Sequence, residues 1–370
     1  MFAEAYVPLV GEANRVIGAQ LLDLSASVRY DSYEGAGEST NSKFGVRWSP
    51  MDDLFLRGTW GTSFKVPQFK QLLGGSGGTL AVAPGFLDPN ATNGSTGVLI
   101  MSGGNPALQP EEATAWTVGM DIVPSWLDGL RVSATYFDVD YRNRIDTPPN
   151  ILVAFQQEQN FPGIFIRNPT PAQVNAAIAL LDSVGGSAGP DGVEVIFDER
   201  LKNLSSVAVS GLDLQVGYAT ATEFGEISLN MNASYLYGFE KDLGLGGSPF
   251  QLVDTVYSPT DLRVRGSVGW QSDGWNVVGT VNYVDDYRDT ESTPNRNVAS
   301  WTTFDLNVSY AFDVFGRSME RGGGTRLTLS VINVADEDPP FVNNFLGGGY
   351  DPGNSSVLGR FASITLTQNW

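Results

Sequence analysis

The chain contains neither cysteine nor histidine, two residue types that carry much of protein chemistry. Their absence excludes disulfide bonds, thiol nucleophiles, zinc sites built from Cys and His, and the Ser-His-Asp triad. Hydrolysis by two carboxylates stays chemically open, because Asp and Glu together number 41. Chance placement of so many acidic residues also produces close pairs, so we expect no enzyme activity and no cofactor.

Charged residues recur at alternate positions in segments whose intervening residues are apolar. Six arginines and four aspartates share this arrangement: Arg29, Arg47, Arg57, Arg131, Arg263, Arg265, Asp23, Asp121, Asp213 and Asp305. A strand directs successive side chains to opposite faces, so these charges share its polar face. If the apolar face meets lipid, the charges must face away from it, because Arg or Lys at mid-depth costs about 2–4 kcal/mol. The pattern predicts a charged inner wall.

Another group of side chains could grip a small ligand. Aromatic rings and a guanidinium lie in three predicted loops of the second half of the chain: Tyr257, Tyr287, Arg288, Phe341 and Tyr350. Rings attract cations and guanidinium groups stack on rings, so such residues suit ligand capture. The alternative is that they only pack the loops together.

Four acidic residues lie close together in one of these loops: Asp285, Asp286, Asp289 and Glu291. Ca²⁺ prefers oxygen ligands, but the spacing does not match a dedicated calcium loop. A solvated acidic face explains the group better, and we predict no metal site.

Strands must position these residues, and the alternation extends from Leu22 to the end of the chain. In 304–312 every even position is apolar or aromatic, and 305, 307 and 309 are polar. About twelve such segments of roughly ten residues occur, with a thirteenth near 6–10, and a tilted strand of this length crosses a bilayer. The pattern predicts an all-β fold: a transmembrane antiparallel up-and-down β-barrel segment of about 12–13 strands.

The predicted connections alternate strictly between short and long. Short ones lie near 49–53, 124–128, 221–225 and 272–274, with a longer one at 313–324. Long ones cover about 66–110, 143–207, 239–260, 285–301 and 335–357. Outer-membrane barrels have short periplasmic turns and long extracellular loops, and aromatic girdles like the rings at Trp48, Trp60 and Tyr310. Aromatic residues are also common in any strand, which is the plainer explanation of those rings.

Composition narrows the choice of partners. The net charge of −19 repels nucleic-acid phosphates, so we expect no nucleic-acid partner. No apolar run approaches the roughly 20 residues of a membrane-spanning helix.

Residues 1–6 lack the basic and apolar regions of a signal peptide. For an exported protein, we expect upstream sequence to be missing.

One helix is predicted inside the longest loop. Thr170 suits the N-cap and Pro171 the first turn. Four apolar residues share a face before the predicted end at Gly185-Gly186: Val174, Ala177, Ile178 and Leu181. We expect the helix to pack on the base of its own loop. Capping of a ligand is the alternative.

Four segments resemble motifs of one family. Residues 54–67 (LFLRGTWGTSFKVP) resemble its Arg-Gly-Ser…Gly-Phe-Arg-Ala-Pro motif, and 104–112 (GNPALQPEE) resemble Gly-Asn-Pro-x-Leu-x-Pro-Glu. Residues 329–340 (LSVINVADEDPP) resemble a late Asn-Leu-Phe-Asp motif, and 359–370 look like a closing strand. The chain thus resembles the C-terminal half of a TonB-dependent outer-membrane receptor.

This resemblance implies that residues 1–370 form part of a barrel of about 22 strands around a plugged lumen. The plug domain, the energy-coupling box and the early strands would be missing. Trp370 would be the barrel-assembly signal, although the family most often ends in Phe. The implied partners are outer-membrane lipid and lipopolysaccharide, the missing plug, the TonB complex, the assembly machinery and a small-molecule nutrient.

In this family, loops at the surface of a Gram-negative cell capture a scarce nutrient, commonly a ferric siderophore, cobalamin or a glycan. Energy delivered by TonB through the plug then releases it inward. The resemblance implies the same transport here, with the wall charges contacting the plug or lining the substrate route. Two alternatives stay open: a passive porin-like channel and, less favoured, a soluble β-rich binding protein.

Overall fold

The computed structural model describes residues 1–33, 37–85, 88–91, 94–149, 151–156, 158, 163–186, 189, 192–243, 248–312, 324–343 and 348–369. Within them the first eleven strands are β1 (Phe2–Val10), β2 (Leu21–Tyr33), β3 (Gly37–Met51), β4 (Leu54–Lys65), β5 (Ser76–Pro84), β6 (Ser95–Gly103), β7 (Glu111–Ile122), β8 (Leu130–Asp146), β9 (Phe165–Arg167), β10 (Ser183–Gly186) and β11 (Val195–Asp198).

The later strands are β12 (Lys202–Thr222), β13 (Gly225–Asp242), β14 (Phe250–Gln251), β15 (Leu262–Ser272), β16 (Trp275–Val284), β17 (Tyr287–Asp289), β18 (Arg296–Val298), β19 (Trp301–Phe312), β20 (Gly324–Ile332) and β21 (Phe361–Asn369). The described helices are α1 (Phe69–Leu73), α2 (Ile151–Gln156) and α3 (Pro171–Ile178). No helix in these ranges has the length and apolar composition needed to cross a membrane.

Thirteen strands form one continuous wall in the order β1-β2-β3-β4-β7-β8-β12-β13-β15-β16-β19-β20-β21, with β14 beside β13. Each strand of the wall runs antiparallel to its neighbours, as at β2–β3 and β19–β20. The predicted up-and-down topology and strand number are confirmed. The predicted thirteenth strand is β1.

The two faces of the wall have opposite character, and many apolar side chains on the apolar face are exposed. Val118, Phe304 and Ile364 are exposed, whereas Asp23 and Ser309 on the polar face are buried. Soluble sheets place apolar side chains inside, so this sheet is inverted. A contiguous apolar surface of this extent is typical of contact with lipid.

Long and short connections lie at opposite ends of the wall. At one end the connections are 11–20, 52–53, 123–129, 223–224 and 273–274, and at the other they include 66–110, 147–201, 243–261, 285–300 and 333–360. The connection from β2 to β3 also lies at the second end but covers only 34–36. The expectation of strictly alternating lengths is therefore wrong at this hairpin. The predicted connection at 313–324 falls almost entirely outside the described residues.

The two longest connections fold together into a separate body, called here the loop unit. Its mixed sheet has the order β10-β5-β6-β11-β9, and β6 runs parallel to β11. On one face α2 packs in a core around Val98 and Phe197. On the other face α3 packs in a second core around Leu99 and Ile196. These cores hold most of the buried apolar side chains of the described residues.

Helix α3 begins where the sequence predicts, but it ends earlier than predicted. Thr170 accepts a hydrogen bond from the Gln173 amide, and the Gln173 side chain closes a capping box. The helix stops at Ile178, and Gly185-Gly186 belong to β10. Asp182 diverts the chain, because its carboxylate accepts from the Ser76 amide at 2.7 Å and aligns β10 beside β5. The helix packs on the sheet that both loops build, not only on its own loop.

The three later long connections form another assembly, called here the outer cluster. Strands β17 and β18 pair within it. Its apolar centre joins Val256, Tyr287, Val298 and Val342, one or two residues from each connection. The long loops therefore form two bodies, each built from neighbouring connections.

Candidate functional site

The register places nine of the ten predicted wall charges in three adjacent rows on the polar face. One row of cross-strand neighbours contains Pro8, Asp23, Arg47, Arg57, Gly119, Thr135, Asp213, Ser234 and Arg263. The next row toward the short turns contains Asp121 and Arg265, and the third contains Arg131 and Asp305. Arg29 lies nearer the long loops. The shared face is observed; contact with a plug stays a prediction.

Arg57 is neutralised inside the wall. Its Nε donates to Asp121 Oδ2 at 3.1 Å, and its Nη2 donates to Ser133 Oγ at 3.2 Å. Gly119 makes room for this guanidinium, since a Cβ there would lie 2.7 Å from Arg57 Cζ. Arg57 therefore organises β4, β7 and β8, and its charge is already matched.

Other predicted charges also have partners in the chain. Arg29 pairs with Asp31 at 2.7 Å, and the Arg47 guanidinium lies 4.8 Å from the centre of the Phe55 ring. Stacking of this kind stabilises a cation without using its hydrogen-bond donors. Arg47 also faces Arg57 directly across β3 and β4.

Asp305 and Arg263 tie the polar face to the outer cluster. Asp305 accepts from Asn282 Nδ2 and from the Asn333 amide, both at 2.9 Å. Arg263 donates to the Gly353 carbonyl at 3.1 Å and to the Asn354 side chain. These two residues therefore hold the last connection over the wall.

Three predicted charges have no partner within the described part of the chain. Among the described residues, Arg131, Arg265 and Asp213 form no ion pair and no side-chain hydrogen bond. Arg131 borders a hollow of about 440 Å³ in the wall, whose lining includes Gln215, Asn230 and Asn232. These unmatched charges are the ones that remain free to bind a molecule on the polar face.

The motif 104–112 anchors the loop unit to the wall. Glu111 is buried and accepts from Lys65 Nζ at 2.7 Å, from the Tyr141 hydroxyl at 2.6 Å and from the Ile145 amide at 2.8 Å. Asn105 Nδ2 donates to the Leu201 carbonyl at 2.9 Å, which joins the two connections where they leave the wall. The motif thus has a structural role at the base of both loops.

The five predicted ligand residues lie in the outer cluster, but they differ in exposure. Tyr287 is 2% exposed at its centre, where burial raises the pKa of its hydroxyl and the Asp351 carboxylate adds to the rise. This buried position agrees with the alternative that the residue packs the loops together. Tyr257, Arg288 and Phe341 are exposed, and Tyr350 is half-buried. The structure therefore brings four partly accessible residues together around one packed tyrosine.

Two buried carboxylates hold the outer cluster together. Asp351 accepts from the amides of Tyr257 at 2.9 Å and Gly353 at 2.8 Å. Asp289 accepts from Ser292 Oγ at 2.7 Å and from the Asn343 amide at 3.3 Å. Burial raises the pKa of Asp289, but these bonds and two nearby amides outweigh it and leave the pKa below its usual range.

The expected solvated face is therefore wrong for Asp289, which is fully buried. Asp286 and Glu291 are exposed, as expected. Within the described ranges no three acidic residues are grouped so that they could hold a metal ion.

Sequence reasoning missed an acidic group where β15 and β16 meet the outer cluster. Burial raises the pKa of Asp261, and the carboxylates of Asp254 and Asp285 raise it further. Asp254 and Asp285 are far apart in the chain, so no local pattern could have indicated their approach. Trp370, the predicted assembly signal, lies outside the described residues.

Comparison with known proteins identifies the fold. The family model described as "TonB dependent receptor-like, beta-barrel" matches residues 4–334. Comparison with curated protein sequences gives no significant match. The structure resembles the ferric enterobactin receptor PfeA of Pseudomonas aeruginosa with a TM-score of 0.63 and 16% identity, over 100% of this chain and 45% of that one.

Two further proteins share the fold. The siderophore receptor PirA of Acinetobacter baumannii has a TM-score of 0.61 and 16% identity, with 100% of this chain and 46% of that chain covered. The iron transporter FrpB of Neisseria meningitidis has a TM-score of 0.53 and 11% identity, with 94% and 42% covered. The chain therefore spans less than half the length of these proteins. From the extent of the family match, the chain belongs to the TonB-dependent receptor-like β-barrel family.

Proposed function

We propose that this chain forms part of the wall and the surface loops of an outer-membrane receptor that imports a scarce small nutrient. The inverted sheet carries the proposal, because its exposed apolar face suits lipid and its charged face suits a water-filled or plugged lumen. Family membership supports a transport role for this arrangement. The outer membrane of a Gram-negative cell is the proposed location.

A ferric siderophore is the proposed substrate class, ahead of cobalamin or a glycan. The similar solved structures are a ferric enterobactin receptor, a siderophore receptor and an iron transporter. Exposed Tyr257, Arg288 and Phe341 in the outer cluster are the proposed capture residues, with Tyr350 beside them. Tyr287 supports them from below, because its ring is buried in the cluster.

A plug in the lumen and energy from TonB complete the proposed mechanism. Arg131 and Arg265 are the proposed contacts with the plug, since their charges have no partner in the described part of the chain. Arg57 is a weaker candidate because Asp121 already neutralises it.

Uptake of iron-55 bound to a siderophore tests the proposal in cells that make the receptor containing this chain. We expect uptake above that of cells lacking the receptor, and its loss when TonB is deleted. Absence of receptor-dependent uptake for siderophore, cobalamin and glycan probes would overturn the transport role.

A conductance measurement in liposomes distinguishes a passive channel from the proposed TonB-dependent transporter. A steady open channel that does not depend on TonB would favour the porin-like alternative. Recovery of the chain in the soluble fraction without detergent would instead favour a soluble binding protein.

A further inference from the structure

The loop unit contains a hollow of about 290 Å³ between α3 and the edge strand β9. Its floor is apolar and includes Met101, Ile164, Ile166 and Ile196. It is separate from the outer cluster, which is built from other connections. Nothing in the proposed uptake mechanism uses it.

The short helix explains why the hollow is open. Val174 and Ala177 of α3 cover the centre of the sheet at Leu80 and Leu99, and the edge strand stays uncovered. Ile166 is consequently 44% exposed, and Leu180 at the rim is 60% exposed. Ala176 also lines the hollow, and its small side chain leaves the mouth free.

A cationic group closes one end of the hollow. Arg200 is only 9% exposed, and its Nε and Nη2 donate to Asp198 at 2.9 and 3.0 Å. Lys202 also pairs with Asp198, so two cations surround one carboxylate. A guanidinium has five N–H donors, and Arg200 uses two of them in its hydrogen bonds to Asp198.

The charge state of this end is secure at neutral pH. Burial raises the pKa of Asp198, but the hydrogen bonds and charges of Arg200 and Lys202 outweigh it and lower the pKa overall. The group therefore keeps one net positive charge. Arg167 on β9 faces the opposite side of the sheet, where it stacks on Phe155.

We propose that this hollow binds a small amphipathic anion: a carboxylate that carries one aromatic ring or one branched aliphatic group. The apolar part lies on Ile166 and Ile196 beneath Ala176, and the carboxylate meets Arg200. Ligand pockets usually measure about 300–1,000 Å³, so a volume at the lower limit suits a single ring. An anion is favoured over a cation because Arg200 keeps three N–H donors after its pair with Asp198.

Calorimetric titration of the full chain in detergent micelles with benzoate tests the proposal. Benzyl alcohol is the matched probe, since it keeps the ring and removes the charge. We expect saturable binding of benzoate and at least tenfold weaker binding of the alcohol. Equal affinities, or no binding of benzoate at millimolar concentration, would overturn the proposal.

Four variants locate the site. Ala176→Leu fills the mouth from an exposed position and should weaken benzoate binding at least tenfold. Ala172→Leu places the same side chain on the same helix outside the hollow and should leave binding unchanged. Arg200→Gln removes the cation, and Arg200→Lys should recover part of the lost affinity.

Hydrogen exchange of β6 and β11 confirms that each variant keeps the loop unit folded. Unchanged binding by folded Ala176→Leu would place benzoate elsewhere and overturn the assignment. Because binding is measured on the chain itself, the result is independent of siderophore uptake.

Discussion

The guanidinium of Arg167 donates to both carboxylate oxygens of Asp88, at 2.8 and 3.0 Å. The two residues belong to different connections, so this pair joins the halves of the loop unit. Asp88 is fully buried and also accepts from Thr96 Oγ1 at 2.6 Å. Arg167 reaches Glu158 as well, at 2.6 Å. One guanidinium therefore bonds two carboxylates, and the three groups together carry one net negative charge.

Replacement of Arg167 should destabilise the loop unit and leave the wall intact. Arg167→Met removes one partner of a buried pair, and we expect a loss of about 2–3 kcal/mol in the unit's free energy of unfolding. Hydrogen exchange of peptides covering β6 and β11 measures the loss. Arg142→Met is the control, since its pair with Asp140 is exposed. Equal protection in both variants would contradict the expectation.

Acid should loosen the long loops before it affects the wall. Burial raises the pKa of Asp88, but hydrogen bonds from Arg167, Thr96 and the Asn90 amide leave it below its usual range. The pKa of Asp289 is lowered in the same sense. Their contribution to stability is present above the ordinary pKa of about 4 and is lost as pH falls through the lower folded value.

Hydrogen exchange from pH 7 to pH 3, corrected for intrinsic rates, measures this effect. We expect protection of the loop unit to fall below about pH 4. Asp88→Asn should be less stable than the parent at pH 7 and should respond less to acid. Full protection of the loops at pH 3 would count against this role of the two carboxylates.

Two glycines, one in the turn before β8 and one within β16, should respond differently to the same substitution. Gly129 has φ 86°, and a Cβ there would lie 1.9 Å from the Ala219 carbonyl oxygen. Gly129→Ala should cost about 2–4 kcal/mol from backbone strain and overlap. At Gly279 a Cβ meets nothing within 4 Å, so Gly279→Ala should stay within about 0.5 kcal/mol. The free energies of unfolding of the two variants are compared by titration with urea. The folded fraction at each urea concentration is measured from its mobility on a gel.

Arg263 and Arg265, on the same face of β15, should have separable effects. Arg263→Ala removes the bonds to Gly353 and Asn354, and we expect at least threefold faster proteolysis within 348–358. Arg265→Ala should leave these loops protected and, if a plug is bound, should lower the temperature at which the plug detaches. Equal proteolysis of both variants would show that Arg263 does not hold the loop.

The two faces of the wall could be predicted from the sequence because polar and apolar residues alternate within each strand. Each residue type marks the environment of the face on which it lies. The parity of Arg263 and Arg265 against Val264 assigns their faces without knowledge of any partner strand. Rows such as Asp23–Arg47–Arg57 need the register, which depends on turn geometry and on bulges such as the one between Trp48 and Met51. The charges were predictable, but their pairing was not.

The loop unit left a weaker signal in the sequence. Residues 98–101 and 195–197 are continuous apolar runs, as expected for strands covered on both faces. Their parallel pairing joins segments about a hundred residues apart, and no local pattern encodes it. The burial of Tyr287 was not predictable for a related reason, because it depends on three connections that converge only in the folded chain.

The loop unit stands on four consecutive strands of the wall, β4, β7, β8 and β12, and carries its own two-sided core. A body with this independence can be exchanged as a cassette. Grafting 66–110 together with 147–201 onto another barrel with the same strand spacing would transfer the whole loop unit with its core. Loops built this way can be recombined between barrels without any change to the strands of the wall.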